Sequence, residues 1–341
     1  MKTSTLVLAA LFLAACGGSD QKKVQNITGT GATFPFPMYS KWFDEYRTGR
    51  PGVQINYQSL GSGAGVSQVT EGTVDFGASD QPLTEEQMAT FTQKRGTKIL
   101  HFPTVLGAVV PTYNLTGVTA ELNFTPAALA GIFLGKVTRW NDPAIASVNP
   151  DVKLPASEIV VVHRSDGSGT TYIWTDYLSK VSPEWKNGPG RGTSVSWPVG
   201  LGGKGNEGVA GLVKQTANTI GYVELIYALQ NKMSSGRVQN ASGMFVQPSL
   251  AAVTAAAAGG EMPDDFRVSI TNPAAPDAYP IASFTWLLIP ERIEDEGKRA
   301  TIHDFLEWML ATGQGMTEAL QYAPLPAPVI EKEKTLLASL R

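Results

Sequence analysis

An α/β fold built on open sheets is what the sequence predicts, and three observations predict it. Glycine turns carrying small hydroxyl residues repeatedly join an apolar or alternating run to a run with helical spacing. The 341 residues exceed the ~250–300 at which a single core stops growing, so two domains are expected. The composition, 43% hydrophobic and 17% charged with 35 Gly and 22 Pro, is that of a globular, turn-rich chain rather than a disordered one. In sheets of this kind ligands lie at the carboxyl ends of strands.

The elements follow in order. Thr28-Gly29-Thr30-Gly31-Ala32-Thr33 precedes a helix whose Tyr39, Trp42, Phe43 and Tyr46 form one apolar face and which ends at Gly49. Val53, Ile55 and Tyr57 alternate as a strand, and Gly61-Ser62-Gly63-Ala64-Gly65 opens a second helix with Val66 and Val69. TVDFGASD is a short strand ending on Ser79-Asp80, and Thr84-Glu85-Glu86-Gln87 makes a capping box for the helix after it. Thr125-Pro126 caps a helix with Leu129, Ile132 and Phe133 inward, stopped by Gly135, and Asp142-Pro143 starts another. VVVH, ending at His163, reads as a buried strand, and the helix beyond it carries Ile173, Trp174, Tyr177 and Leu178. Ser283 to Ile289 is an apolar strand. A helix aligning Ile302, Phe305, Leu306, Met309 and Leu310 follows and stops near Gly313. There is no tandem repeat of fixed period, and the low-complexity SLAAVTAAAAGG around Leu250 holds no functional motif.

The first residues are set apart from the fold. MKTSTLVLAALFLAAC has one early lysine, an apolar run too short to span a bilayer and small residues before Cys16, the layout of an export signal over residues 1–15. Leu13-Ala14-Ala15-Cys16 resembles the bacterial lipobox, so Cys16 is expected to carry a lipid; the other reading is an ordinary signal with an incidental cysteine. Cys16 is the only cysteine, which leaves no internal disulfide. Residues 16–26 read as a polar tether, of which Gly17–Asn26 as a flexible coil reaches roughly 17–19 Å. The formal charge is −3, and −4 once Lys2 leaves with the signal. That argues against a nucleic-acid binder.

RSDGSGTTYIW, Arg164 to Trp174, places a glycine turn between the buried strand and a helix start, where free N–H groups and the helix dipole favour an anion. A nucleotide loop is disfavoured: Gly200-Leu201-Gly202-Gly203-Lys204 is followed by Gly205 rather than Ser or Thr, and GSGAGV lacks a third dinucleotide-loop glycine. A serine hydrolase is disfavoured because position 166 is aspartate, which breaks G-x-S-x-G around Ser168. His101, His163 and His303 are far apart and lack metal-ligand spacing, so no metal, cofactor or catalysis is expected. Three helix starts present hydroxyls: Thr33 with Phe34, Ser62, and Ser168-Gly169-Thr170. Singly each reads as an ordinary cap. Together with Arg164, whose fork suits two oxyanion oxygens, and with Asp80, they point to a convergent anion site. Asp166 either orients that fork or forms a surface ion pair with it.

These same segments carry a family resemblance. TGTGATFPFPMYSKW, GSGAGV, VDFGASDQPL, FPTVLGAVV, IFLGKVTRWNDPAIASVNP, HRSDGSGTTYIWTDYLSKV, WPVGLGGKGNEGVA and IGYVELIYA resemble the periplasmic phosphate-binding proteins of high-affinity phosphate ABC importers. The likeness runs from about residue 28 to 230 and is weaker beyond. It implies a two-lobed clam-shell (type II) fold with two crossover hinge strands, expected near Phe102–Leu106 and Ala282–Thr285. The lobes would then comprise 27–103 plus 284–341, and 104–283. It also implies phosphate ligands at Ala32, Thr33, Phe34, Ser62, Asp80, Arg164, Ser168, Gly169 and Thr170, with Asp166 orienting Arg164. The expected partners are inorganic phosphate and the permease and ATPase subunits of an importer, with the monomer held in the cell envelope only through its lipid. Binders of sulfate or molybdate, and a secreted phosphatase, are the alternatives. His163 and Ser165 flank Arg164 where relatives vary.

Overall fold

A computed structural model describes residues 24–341. The signal segment, Cys16 and the tether up to Lys23 lie outside the described residues. The strands are β1 (Gln25–Gly31), β2 (Val53–Ser59), β3 (Phe76–Ser79), β4 (Ile99–Asn114), β5 (Asn123–Phe124), β6 (Val160–Arg164), β7 (Leu201–Gly203), β8 (Thr219–Glu224), β9 (Ser234–Ser235), β10 (Arg237–Gln239), β11 (Phe245–Val246) and β12 (Ala282–Pro290). The helices are α1 (Phe36–Gly49), α2 (Ser62–Glu71), α3 (Glu85–Arg95), α4 (Pro126–Phe133), α5 (Pro143–Ala146) and α6 (Gly169–Val181), then α7 (Pro183–Asn187), α8 (Gly205–Gln215), α9 (Leu225–Gln230), α10 (Leu250–Ala258), α11 (Glu296–Ala311) and α12 (Ala327–Leu337).

Sheet order is β2-β1-β3-β12-β4-β8-β6-β7, with β9 pairing onto β4; β11-β10-β5 form a small second sheet. β1 runs parallel to β2 and β3, and β6 runs parallel to β7 and β8. Each parallel set is one half of a two-lobed α/β protein, and antiparallel β4 and β12 lie between them.

β4 belongs to both halves. It pairs with β12 as far as Ala108 and with β8 from Val109 onward. The second passage lies at Ile281–Ala282, where the Ile281 carbonyl accepts from the Val109 N–H at 2.9 Å and Ala282 pairs with Ala108. The change of partner in β4 therefore falls a few residues beyond the expected Phe102–Leu106. Its residues are buried almost without a break, so the sequence carries no local mark of the switch. Pro103 fits this strand because it sits where the register against β12 skips a residue, which leaves Thr104 outside the ladder.

β1 begins at Gln25, and Gln25 and Asn26 pair with Val53 and Gln54. The last two residues of the expected tether are thus sheet, because strand pairing extends a polar segment that has no apolar alternation of its own. Elsewhere local chemistry and structure agree. α1 buries Met38, Tyr39, Trp42, Phe43 and Tyr46. The Thr84 side chain accepts from the Gln87 N–H while Gln87 returns a bond to the Thr84 N–H, a complete capping box. Ser168 caps α6 by accepting from the Thr171 N–H.

Candidate functional site

The carboxyl ends of β1, β2, β3, β6, β7 and β8 face one another across the junction of the halves. Each feeds a turn and most feed a helix start. Gly31 shows why the first turn needs glycine: its φ is +147°, and a Cβ there would lie 2.1 Å from the Ala78 carbonyl oxygen. The turn then delivers Thr33 and Phe34, 2% and 0% exposed. Ser62 opens α2 after β2, Asp80 follows the last residue of β3, and Arg164 ends β6. All are buried: Ser62 0%, Asp80 1%, Arg164 3%, Ser168 0% and Thr170 0%.

The contacts across the junction are direct. The Gly169 N–H, first of α6, donates to Ser62 Oγ at 3.0 Å, and the Asp80 N–H donates to the same oxygen at 3.2 Å. With both lone pairs accepting, the Ser62 hydroxyl can only donate, and Asp80 Oδ2 lies 3.5 Å away. The Gly63 N–H reaches the Gly167 carbonyl at 2.8 Å, and the Tyr227 hydroxyl donates to the Thr33 carbonyl at 2.5 Å. Gly169 has no room for a side chain: a Cβ would meet Asp80 Oδ2 and Ser62 Oγ at 2.4 Å.

Arg164 is held as a fork. Its Nε donates to Asp166 Oδ1 at 2.8 Å, its Nη2 to Oδ2 at 2.5 Å and its Nη1 to Thr170 Oγ1 at 3.3 Å. Two of the five N–H groups, one on each terminal nitrogen, remain free of these contacts. Burial alone would raise the Asp166 carboxyl, but the Arg164 guanidinium and the Gly205 N–H, 3.0 Å from Oδ1, hold it below the usual carboxylate range. The Asp166–Arg164 pair thus joins a buried guanidinium to a part-buried carboxylate, with side chains 1% and 12% exposed, and is not a surface ion pair.

Asp80 goes the other way. Burial pushes its carboxyl up to about 7, although Thr285 Oγ1 donating to Oδ1 at 2.7 Å, the Arg164 charge and Ser62 each pull it down. The turn behind it is pinned by His101, whose Nε2 accepts from the Leu83 N–H at 3.1 Å. That imidazole is neutral, lowered to about 3 first by burial and then by the Arg267 charge.

Every expected site residue therefore reaches this junction, but with unequal means. Ala32 has no backbone group left, since its N–H donates to the Ala78 carbonyl and its carbonyl accepts from the Tyr57 hydroxyl. Among the described residues the N–H groups of Phe34, Ser62 and Thr170 take no acceptor, and each stands at a turn or helix start. His163 stacks on Trp197 with ring centroids 4.8 Å apart, and its Nδ1 lies 3.0 Å from the Arg164 carbonyl.

Four contributors escaped the sequence reading: Asn206, Thr285, Tyr227 and Gly205. Asn206 is wholly buried and bonds both Thr33 and Thr170. GLGGKGNEGV was rejected as a nucleotide loop and otherwise served only the family resemblance, so the asparagine two residues after its lysine was given no role. The local signal was there: a glycine turn leading from a short strand into a helix. Thr285 carried no signal, because it is one residue within an apolar strand.

The chain is similar to known proteins along almost its whole length. A family model described as a PBP superfamily domain matches residues 18–312. The chain is 45% identical over 324 residues to the phosphate-binding protein PstS of Xylella fastidiosa strain Temecula1, covering 94% of this chain and 87% of that one. It is 45% identical over 333 residues to the PstS of Pasteurella multocida strain Pm70, covering 97% and 94%. Among solved structures, a high-affinity periplasmic phosphate-binding protein (PfluDING) bound with phosphate superposes with a TM-score of 0.75 at 24% identity, covering 91% of this chain and 93% of that one, which speaks to the fold alone. On this evidence the chain belongs to the PBP superfamily and, within it, to the family of the phosphate-binding proteins PstS.

Proposed function

We propose that this chain binds inorganic phosphate, stripped of its water, between its two lobes and delivers it to the permease of an ABC importer. The lobes are divided where β4 changes partner, at Ala108/Val109, and where β12 begins, at Ile281/Ala282. The hydroxyls of Thr33, Ser62, Ser168 and Thr170, the N–H groups of Phe34 and Thr170 and the free N–H groups of Arg164 supply donors. Gly169 provides close approach, Ala32 only shape, and Asp166 aims the guanidinium.

The single observation that carries the reading is Asp80, a buried carboxylate among donors. In an anion site it is out of place unless it accepts a hydrogen bond from a proton on the ligand. Phosphate carries such a proton at neutral pH and sulfate does not. Sulfate would set acceptor against acceptor, with charge repulsion added. A carboxylate that must first be protonated to admit sulfate weakens its binding by about tenfold for each pH unit above the carboxyl's own value. Calorimetry at pH 8 should therefore give tight phosphate binding and sulfate binding weaker by at least about tenfold; comparable affinities would overturn the reading.

A binding role without catalysis is also favoured by the histidines. His101 accepts from a backbone amide, His163 stacks on Trp197, and His303 lies 3.8 Å from Glu307 on the outer face of α11. Among the described residues none is hydrogen-bonded to the hydroxyls of Thr33, Ser62, Ser168 or Thr170, which a hydrolase would need to activate. The protein is proposed to work as a monomer in the cell envelope, lipid-anchored through Cys16, with no nucleic-acid partner. ATP is hydrolysed by the importer's ATPase subunits, not by this chain.

A further inference from the structure

We propose that Asn206 is a positioning residue that commits the hydroxyls of Thr33 and Thr170, one from each lobe, to donating toward the ligand. The inference rests on the phosphate reading above and concerns how that site acquires its polarity.

The carboxamide is fixed by its surroundings. Its Oδ1 accepts from the Glu224 N–H at 2.9 Å. A flipped amide would set N–H against N–H there, so the orientation is determined by a backbone donor that cannot turn. Nδ2 then points at two hydroxyls, Thr33 Oγ1 at 2.7 Å and Thr170 Oγ1 at 3.1 Å. Both of its hydrogens are used.

Each of those hydroxyl oxygens has one further donor. Thr33 Oγ1 accepts from the Asn206 N–H at 3.3 Å, which also satisfies a free amide of the α8 start. Thr170 Oγ1 accepts from Arg164 Nη1 at 3.3 Å. A hydroxyl has two lone pairs and one hydrogen, so each threonine has only its hydrogen left to offer. Neither can receive a proton from a ligand. A ligand oxygen that bears hydrogen is thereby refused at Thr33 and Thr170, which leaves it to the Asp80 carboxylate.

Without Asn206, each hydroxyl recovers a lone pair and can rotate its hydrogen away from the ligand. Asn206→Ala is expected to weaken phosphate binding by about 10- to 100-fold in calorimetry. In a Thr33→Val/Thr170→Val background the same change should add less than about threefold, because the groups it acts through are gone. A residue that merely stabilised the fold would lower affinity by the same factor in both backgrounds. Circular dichroism and thermal melting check that each variant folds. Should Asn206→Ala not fold, Asn206→Asp keeps the volume and the acceptor for Glu224. Its carboxylate would draw both threonine hydrogens away from the ligand, for a loss on the order of 100-fold or more.

A folded Asn206 variant binding within about threefold of the unmodified chain would overturn the inference, as would an undiminished Asn206→Ala effect in the valine background. Failure of the unmodified chain to bind phosphate would instead overturn the phosphate reading itself.

Discussion

Asp80 is the residue whose behaviour can be followed with pH. Unfolded, its carboxyl titrates near the ordinary 3.8; folded, burial first and foremost raises it to about 7. A group raised in this way contributes stability that is full below the unfolded value and is lost as pH rises through the folded one. The folded chain therefore holds its carboxylate under tension at pH 8, and a protonated ligand relieves it. Sulfate does not titrate in this range and can be accommodated only where Asp80 is itself protonated. Its affinity should climb about tenfold per unit as pH falls toward 7, then level off near pH 6. Calorimetric titration with sulfate from pH 9 to 5 reads this directly, and a flat profile would contradict the role given to Asp80. Arg164 and Asp166 were legible as a pair from a spacing of two, but spacing could not decide between a surface bridge and a buried fork. Burial decided it.

At the level of elements, the site is a set of helix starts brought to one place. α2, α6 and α8 each begin on a glycine turn, and each start offers N–H groups that the helix itself cannot satisfy. Gly169 is the tightest of them. Alanine there would place a methyl carbon 2.4 Å from both Asp80 Oδ2 and Ser62 Oγ, atoms on short side chains with little freedom to retreat. Overpacking of this kind costs about 1–3 kcal/mol. It falls on the contact between halves rather than on either half alone. Gly169→Ala should accordingly weaken phosphate binding by about 10- to 100-fold, with the melting temperature of the ligand-free protein nearly unchanged. A large loss of thermal stability would instead make Gly169 a folding residue. These helix starts could be read in advance because glycine, hydroxyl and apolar spacing lie within ten residues of one another. The asparagine of α8 was given no role for the opposite reason: it has meaning only beside Thr33, far away in sequence.

For the whole molecule, burial itself implies motion. Thr33, Ser62, Asp80, Arg164, Ser168 and Thr170 are each no more than 3% exposed, so no ion reaches them unless the halves part. The connections that allow this are the β4 strand at Ala108–Val109 and the passage at Ile281–Ala282, which is hinge geometry. The segment leading into β12 ties the halves more loosely. Arg267 donates to the Leu83 carbonyl at 3.0 Å and pairs with Glu85, while Ser269 and Thr271 donate to Asp176 of α6. Small-angle X-ray scattering of phosphate-free protein should give a larger radius of gyration than the same sample with phosphate added. An identical radius in both would mean that the cleft does not open by a hinge.

What the sequence by itself determined were the features fixed within a few residues: the alternation of strand and helix, the glycine turns, the caps at Thr84 and Ser168, and the hydroxyl-rich helix starts. Local conformation and capping depend on neighbours in the chain, so composition and spacing carry them. Only the tertiary structure decided that Ser62 meets Gly169, that Asn206 bridges Thr33 and Thr170, that Thr285 braces Asp80, and that β4 changes partner at Ala108. Those contacts join residues 36 to 205 positions apart, and the polarity of each group follows from which lone pairs its distant neighbours occupy.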